Sequence, residues 1–102
     1  MSIKFDWDTQ KADSNLRKHG VSFHEAQTIY GDQRALSVYD EAHSDTEDPF
    51  ITIGWSFFGS LLSVVHSDFI DDEGVEVWWI ISARRATRRE ENAYAKQTKN
   101  RG

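Results

Sequence analysis

Cysteine is absent from this chain of 102 residues. That excludes a disulfide framework, a thiolate zinc site and a cysteine nucleophile, and it suits a reducing cytoplasm. Long apolar runs are missing too. No stretch approaches membrane-spanning length, and Met1-Ser2-Ile3-Lys4-Phe5-Asp6 has no apolar signal core, so a cytoplasmic protein without membrane attachment is expected. Nothing repeats internally, and no Gly-rich phosphate loop, Gly-x-Ser-x-Gly elbow or His-Glu-x-x-His motif occurs. Positive charge is scarce over most of the length: residues 1–83 hold five basic and fifteen acidic side chains, a balance of −10. The formal net charge of −5 argues against indiscriminate binding to nucleic acid and confines any such contact to a patch.

What is present points to a folded protein. The apolar fraction is 38% and the aromatic fraction 13%, with four tryptophans. A chain of this length forms one domain, here residues 1–102, whose modest core buries roughly two-thirds of the unfolded surface. Ile3, Phe5 and Trp7 alternate with Lys4, Asp6 and Asp8, the period of a short half-buried strand. Asp8 can cap a helix to about Lys18, with Ala12, Leu16 and His19 near one stripe and Gly20 as its stop. Ser22-Phe23-His24-Glu25 is a capping box for a second helix ending near Tyr30-Gly31-Asp32, and Val21 can staple onto Ala26. Beyond it, Ala35–Tyr39, Phe50–Ser56, Leu61–Ser67 and Val75–Ser82 are rich in β-branched and aromatic residues and read as strands. Phe57-Phe58-Gly59-Ser60 reads as a hairpin turn, and Asp40–Pro49 as a polar, mobile loop. Thr87-Arg88-Arg89-Glu90 is a second capping box, opening a helix to about Gln97. The expected class is α+β: a short N-terminal strand, two helices, an antiparallel four-stranded meander and a C-terminal helix, with helices covering one sheet face.

The basic residues collect at the other end. Residues 84–102 hold Arg84, Arg85, Arg88, Arg89, Lys96, Lys99 and Arg101 against Glu90 and Glu91, a balance of +5. Arg88 and Arg89 fall in the first turn of the last helix, where cations oppose the helix dipole and lose a few tenths of a kcal/mol. Cations beside open helix N–H groups form an anion trap suited to a phosphate backbone. The plainer reading is ordinary surface pairing with Glu90, Glu91 and the acids of residues 68–76.

At these residues a resemblance emerges. Phe5-Asp6-Trp7-Asp8, Lys11, Asn15, Lys18-His19-Gly20-Val21-Ser22-Phe23, Ala26, His43-Ser44, Ile53-Gly54, Ile80 to Glu90 and Tyr94 closely resemble the BrnT family, toxins of bacterial type II toxin–antitoxin systems. The resemblance implies a RelE-like fold and a ribonuclease activity that stops translation. It also implies a BrnA-type antitoxin with a ribbon-helix-helix region, which would bring the pair to operator DNA. Three positions depart from the family's pattern. Pro49 stands where an arginine usually precedes the strand to Ile-Gly, Ser60 where a basic residue follows the hairpin glycine, and Trp79 where an arginine precedes Ile-Ile-Ser-Ala-Arg.

A ribonuclease of this kind, without metal or cofactor, needs a base for the ribose 2′-hydroxyl, cations on the phosphorane and an acid for the leaving 5′-oxygen. Arg84 and Arg88 are the candidates for charge stabilisation and His19 for proton transfer, with Lys11, Lys18, Arg85 and Arg89 gripping phosphates. Strand alternation allows only one of Arg84 and Arg85 to reach the reacting phosphate, while Lys11 and Lys18, seven apart, share a helix face. His19 before a helix-stopping glycine also reads as a C-terminal cap. His43 and His66 are weaker proton-transfer candidates. Trp55, Trp78 and Trp79 could stack on bases, but aromatic residues in strands are more often core. A metal-dependent nuclease using His43, Asp45, Glu47, Asp48, Asp71, Asp72 and Glu73 is the competing enzyme, although the spacing fits no calcium loop. The competing class is a non-enzymatic module that binds antitoxin and acts as co-repressor; Pro49, Ser60 and Trp79 favour it.

Overall fold

A computed structural model describes residues 3–39 and 49–100. The expected loop over residues 40–48, with His43, Asp45, Glu47 and Asp48, lies outside the described residues. Alternation at the N-terminus produces β1 (Ile3–Trp7). Asp8 caps α1 (Thr9–His19) by accepting the N–H groups of Gln10 and Lys11 at 2.8 and 3.2 Å, and Gly20 stops it at φ 70°, a conformation that glycine adopts without penalty. Ser22 caps α2 (Phe23–Gln27), which tightens into a 3-10 turn over Thr28–Gly31. Then follow β2 (Leu36–Tyr39), β3 (Phe50–Trp55), β4 (Leu61–Ile70), β5 (Glu76–Arg85) and α3 (Arg88–Asn100).

The sheet differs from the expected four strands. It is five-stranded and mixed, in the order β1-β5-β4-β3-β2, because β1 joins the antiparallel β2-to-β5 succession by pairing parallel to β5 from Ile3↔Glu76 to Trp7↔Ile80. Apolar alternation marks β1 as a strand but carries no information about its neighbour. The helices also divide between faces. Phe23, Ala26 and Ile29 pack with Leu62, Val64, Ile80 and Ala83 on one face, whereas Ser63, pointing the other way, meets Glu90 of α3. Burying each of Phe23, Ile29, Leu62 and Ile80 contributes about 1.5–3 kcal/mol. α1 turns a different stripe inward than expected: Leu16 is 49% exposed and His19 exposed, while Asn15 is buried.

Gly54 sits where β3 presses on the 3-10 turn. A Cβ there would lie 3.2 Å from Ala35 Cβ and 3.3 Å from Ile29 Cβ. Gly54→Ala should therefore lower stability by about 1–3 kcal/mol through overpacking, read as a shift in the urea midpoint at unchanged slope.

A register shift at Val65 and His66 leaves Ile81 of β5 without a partner on β4, and His66 enters an aromatic layer on the α1–α2 face. Its ring stacks on Trp78 at 4.6 Å between centroids, and its Nδ1 lies 2.8 Å from the Tyr30 hydroxyl. Burial holds the His66 imidazole below its ordinary pKa, with Asp68 pulling the other way. As pH falls below about 6.5 the unfolded chain takes up a proton that the folded chain resists, so stability declines. Thermal melts should show Tm falling over that range, and His66→Gln should flatten the decline.

Candidate functional site

The strand–helix junction is built from short-range hydrogen bonds. Ala86 N–H donates to Leu61 O at 2.9 Å, so the chain stays paired to β4 as it leaves β5. Thr87 and Glu90 cap α3 reciprocally: Glu90 N–H donates to Thr87 Oγ1 at 3.2 Å and Thr87 N–H to Glu90 Oε1 at 2.8 Å. The same carboxylate takes Arg84. Nη1 and Nη2 donate to Oε1 and Oε2 at 2.7 and 3.0 Å, and the Ser63 hydroxyl donates to Oε2 at 3.3 Å. Burial pushes the Glu90 pKa upward, but the Arg84 hydrogen bonds, the Thr87 N–H, the Arg84 charge and Ser63 outweigh it and hold the carboxyl below its usual range. Arg84 is raised in turn, first by its hydrogen bond to Glu90. This bidentate geometry fixes the guanidinium, yet leaves the side chain 41% exposed.

The other cations are distributed around it. β5 alternation sends Arg85 to the opposite face from Arg84: Arg85 pairs in register with core Leu62, Arg84 with Ser63. Arg85 Nη1 donates to Ser60 Oγ of the β3–β4 hairpin at 3.3 Å. Arg88, with its side chain 88% exposed, lies 4.0 Å from Glu91, and Arg89 is exposed. Glu90 and Glu91 share that first turn and offset the unfavourable placement of the two arginines on the dipole.

α1 reaches the junction through Asn15, a residue whose role the sequence pattern did not disclose. Its Nδ2 donates to Ala83 O at 2.7 Å and Val21 O at 3.0 Å, and its Oδ1 accepts the Ala83 N–H at 3.1 Å. β1 leaves β5 at Ile80, so this amide takes over the pairing of the exposed strand edge. Lys11, Lys18 and His19, spaced −4, +3 and +4 from Asn15 on α1, are all exposed. The structure therefore ties Arg84 to α3 and Arg85 to the hairpin. The sequence sign of Asn15 was its place among the residues that resemble the BrnT family. Asp32 makes a second tie that no local pattern marks: it accepts Trp55 N–H at 3.0 Å and Tyr94 O–H at 2.7 Å, locking α3 to β3.

The remaining candidates serve elsewhere. His66 and Trp78 belong to the aromatic layer, beside an open cavity of about 580 Å³ lined by Phe5, Tyr30, Thr52 and Trp78 among others. Trp79 lies on the Arg84 face, its ring against Phe69. Asp71 closes its own turn by accepting the Glu73 and Val75 N–H groups, each at 2.9 Å. Among the described residues, no group of three or more His, Asp or Glu is arranged to hold a metal ion, and no helix is long and apolar enough to cross a membrane.

With this geometry in place, residues 7–90 match the family model described as the ribonuclease toxin BrnT of type II toxin–antitoxin systems. The chain belongs to the BrnT family. A crystal structure at 1.1 Å resolution of the Brucella abortus ribonuclease toxin, BrnT, has the same fold: the TM-score is 0.63 at 22% identity, covering 85% of this chain and 100% of that one. No curated protein sequence matches. In this BrnT-family chain all the candidate cations, from Lys11 to Arg89, fall within the matched residues.

Proposed function

We propose that this chain is an endoribonuclease toxin, RelE-like in fold and action, that cleaves RNA without a metal and so inhibits translation in the cytoplasm. A BrnA-type antitoxin neutralises it by covering the arginine junction, and operator DNA is reached only through that antitoxin. The observation that carries the reading is Arg84, held rigidly by Glu90 at 2.7 and 3.0 Å yet open on its outer side, with Arg88 and Arg89 exposed one helical turn away. A cation preorganised as Arg84 is stabilises a phosphorane without reorganising during reaction.

In the proposed step the ribose 2′-oxygen attacks phosphorus and the bond to the 5′-oxygen breaks, leaving a cyclic phosphate and a 5′-hydroxyl. Arg84 and Arg88 neutralise the phosphorane oxygens, and Lys11, Lys18, Arg85 and Arg89 hold the flanking phosphates. His19, exposed at the end of α1, transfers protons between solvent and the reacting oxygens.

Induced expression in a bacterial host tests this directly. Growth should arrest without antitoxin and recover with it, and Arg84→Ala/Arg88→Ala should abolish arrest while the protein stays folded. Purified toxin should cleave RNA in excess EDTA and leave 2′,3′-cyclic ends; cleavage that requires added metal would refute that part. One observation favours a second reading, a catalytically silent co-repressor: Glu90 already occupies one edge of Arg84, and Trp79 stands on that face where the family's pattern has an arginine. Normal growth despite soluble, antitoxin-binding protein would establish it.

A further inference from the structure

The tip of the β3–β4 hairpin displays two adjacent aromatic rings that the core does not use. Phe57 is 87% exposed and Phe58 72%, with Trp55 beside them at 47%. Single exposed apolar residues are ordinary, but a pair of phenylalanines on a turn that polar residues could build calls for a reason.

The turn that carries them is firmly held. Ser56 N–H donates to Ser60 O at 2.7 Å, and Gly59 N–H to Ser56 O at 3.0 Å. The Ser56 hydroxyl donates to Glu25 Oε2 at 2.8 Å, and Phe57 N–H to Thr28 Oγ1 at 2.8 Å. In consequence Glu25 does not complete the capping box at Ser22; its carboxylate anchors the hairpin instead. The rings are thus presented on a fixed backbone, meeting edge to face at 84° and 6.1 Å.

The Glu25 and Asp32 carboxylates anchor the base of this hairpin, and arginines adjoin its other strand. Arg85 bonds Ser60 of this same turn, and the Ala86–Leu61 hydrogen bond brings the start of α3, with exposed Arg88 and Arg89, alongside it. Aromatic faces interleaved with guanidinium groups are what a single nucleic-acid strand requires, since bases stack on the rings while cations follow the phosphates. The rings project rather than line a groove, unlike the pockets in which protein hot spots sit. Rings set perpendicular to each other suit bases already splayed out of a stack, not the interior of a duplex.

We propose that Phe57 and Phe58 form a stacking platform for unpaired bases, so that the junction selects single-stranded or looped RNA. This rests on the ribonuclease reading above and adds the substrate class and the residues that recognise it.

The test measures binding of full-length protein to a labelled single-stranded RNA of about ten nucleotides, to its duplex, and to an otherwise identical strand carrying abasic riboses. Phe57→Ala/Phe58→Ala should weaken single-strand binding roughly 10- to 100-fold, leave duplex and abasic binding unchanged, and keep the salt dependence of the parent. Phe57→Trp/Phe58→Trp should restore affinity, and Arg85→Ala/Arg88→Ala should instead lower the salt slope. Unchanged melting curves would show that the variants are folded. If the alanine variant binds the single strand as tightly as the parent, or loses equal affinity for the abasic strand, the platform is refuted while the nuclease stands. Loss of antitoxin binding with RNA affinity intact would make the tip a protein dock and overturn the proposal. A parent protein that neither binds nor cleaves RNA would remove both readings.

Discussion

Asn15→Asp should cost about 4 kcal/mol at neutral pH, a large share of the roughly 5–15 kcal/mol that holds a small domain together. The substitution changes one NH2 group to oxygen and hardly alters shape. It nevertheless removes the donor to Ala83 O and Val21 O and sets a carboxylate against those two carbonyls inside the protein. Asn15→Ala should cost less, about 3 kcal/mol, because it leaves partners unmet without adding a charge. The aspartate variant has a signature of its own. Its carboxyl pKa is raised in the folded state, since the neutral form regains one O–H donor and sheds the repulsion. The folded chain then binds its proton more tightly than the unfolded one, and the variant should gain stability as pH falls through the folded pKa. Urea titrations at several pH values would read this. An Asp variant within about 1 kcal/mol of the parent would remove Asn15 from the role assigned here. Because the amide pairs with Ala83, the residue before Arg84, either variant should also reduce RNA cleavage beyond what its unfolded fraction explains.

Glu90→Ala should lower stability by about 2–3 kcal/mol. It strips the reciprocal cap from Thr87, the anchor from Arg84 and the acceptor from Ser63. The ion pair supplies only part of that, because Arg84 is partly exposed and solvent screens it. A double-mutant cycle with Arg84→Ala should return a coupling of about 1 kcal/mol or more. The acid sensitivity follows from the lowered Glu90 pKa. Its contribution is fully present above the unfolded value of about 4.5 and disappears as pH falls through the folded value; Glu90→Ala should flatten that part of the stability curve. Asp32 adds to the same acid limb. Burial raises its pKa, but the Trp55 N–H, the Tyr94 hydroxyl, the Arg34 N–H and the Arg34 charge together leave it lowered. In the toxin, freeing Arg84 should slow cleavage with little change in RNA affinity, since what is lost is orientation and not charge.

Much of the local structure was legible because its causes are local. Asp8, Gly20, Ser22 and Thr87 mark helix ends through hydrogen bonds and φ values involving a few adjacent residues, and the opposite faces of Arg84 and Arg85 follow from strand periodicity alone. Boundaries drifted where pairing decides them. β4 and β5 extend to Ile70 and Arg85, past the apolar stretches ending at Ser67 and Ser82, because each supplies the other's hydrogen-bond partners.

The linear chain by itself determined the sorting of charge into an acidic body and a basic C-terminal junction, the order of elements and the family, since composition, caps and motifs need no neighbours in space. Tertiary structure alone decided that β1 lies parallel to β5, that α3 takes the opposite face from α1 and α2, that Asn15 completes the edge of β5, and that Glu90 claims Arg84. Each of these joins groups far apart in sequence or chooses among several equally charged partners. Such choices are made by packing and by the demand that buried polar groups be satisfied, which only the assembled sheet imposes.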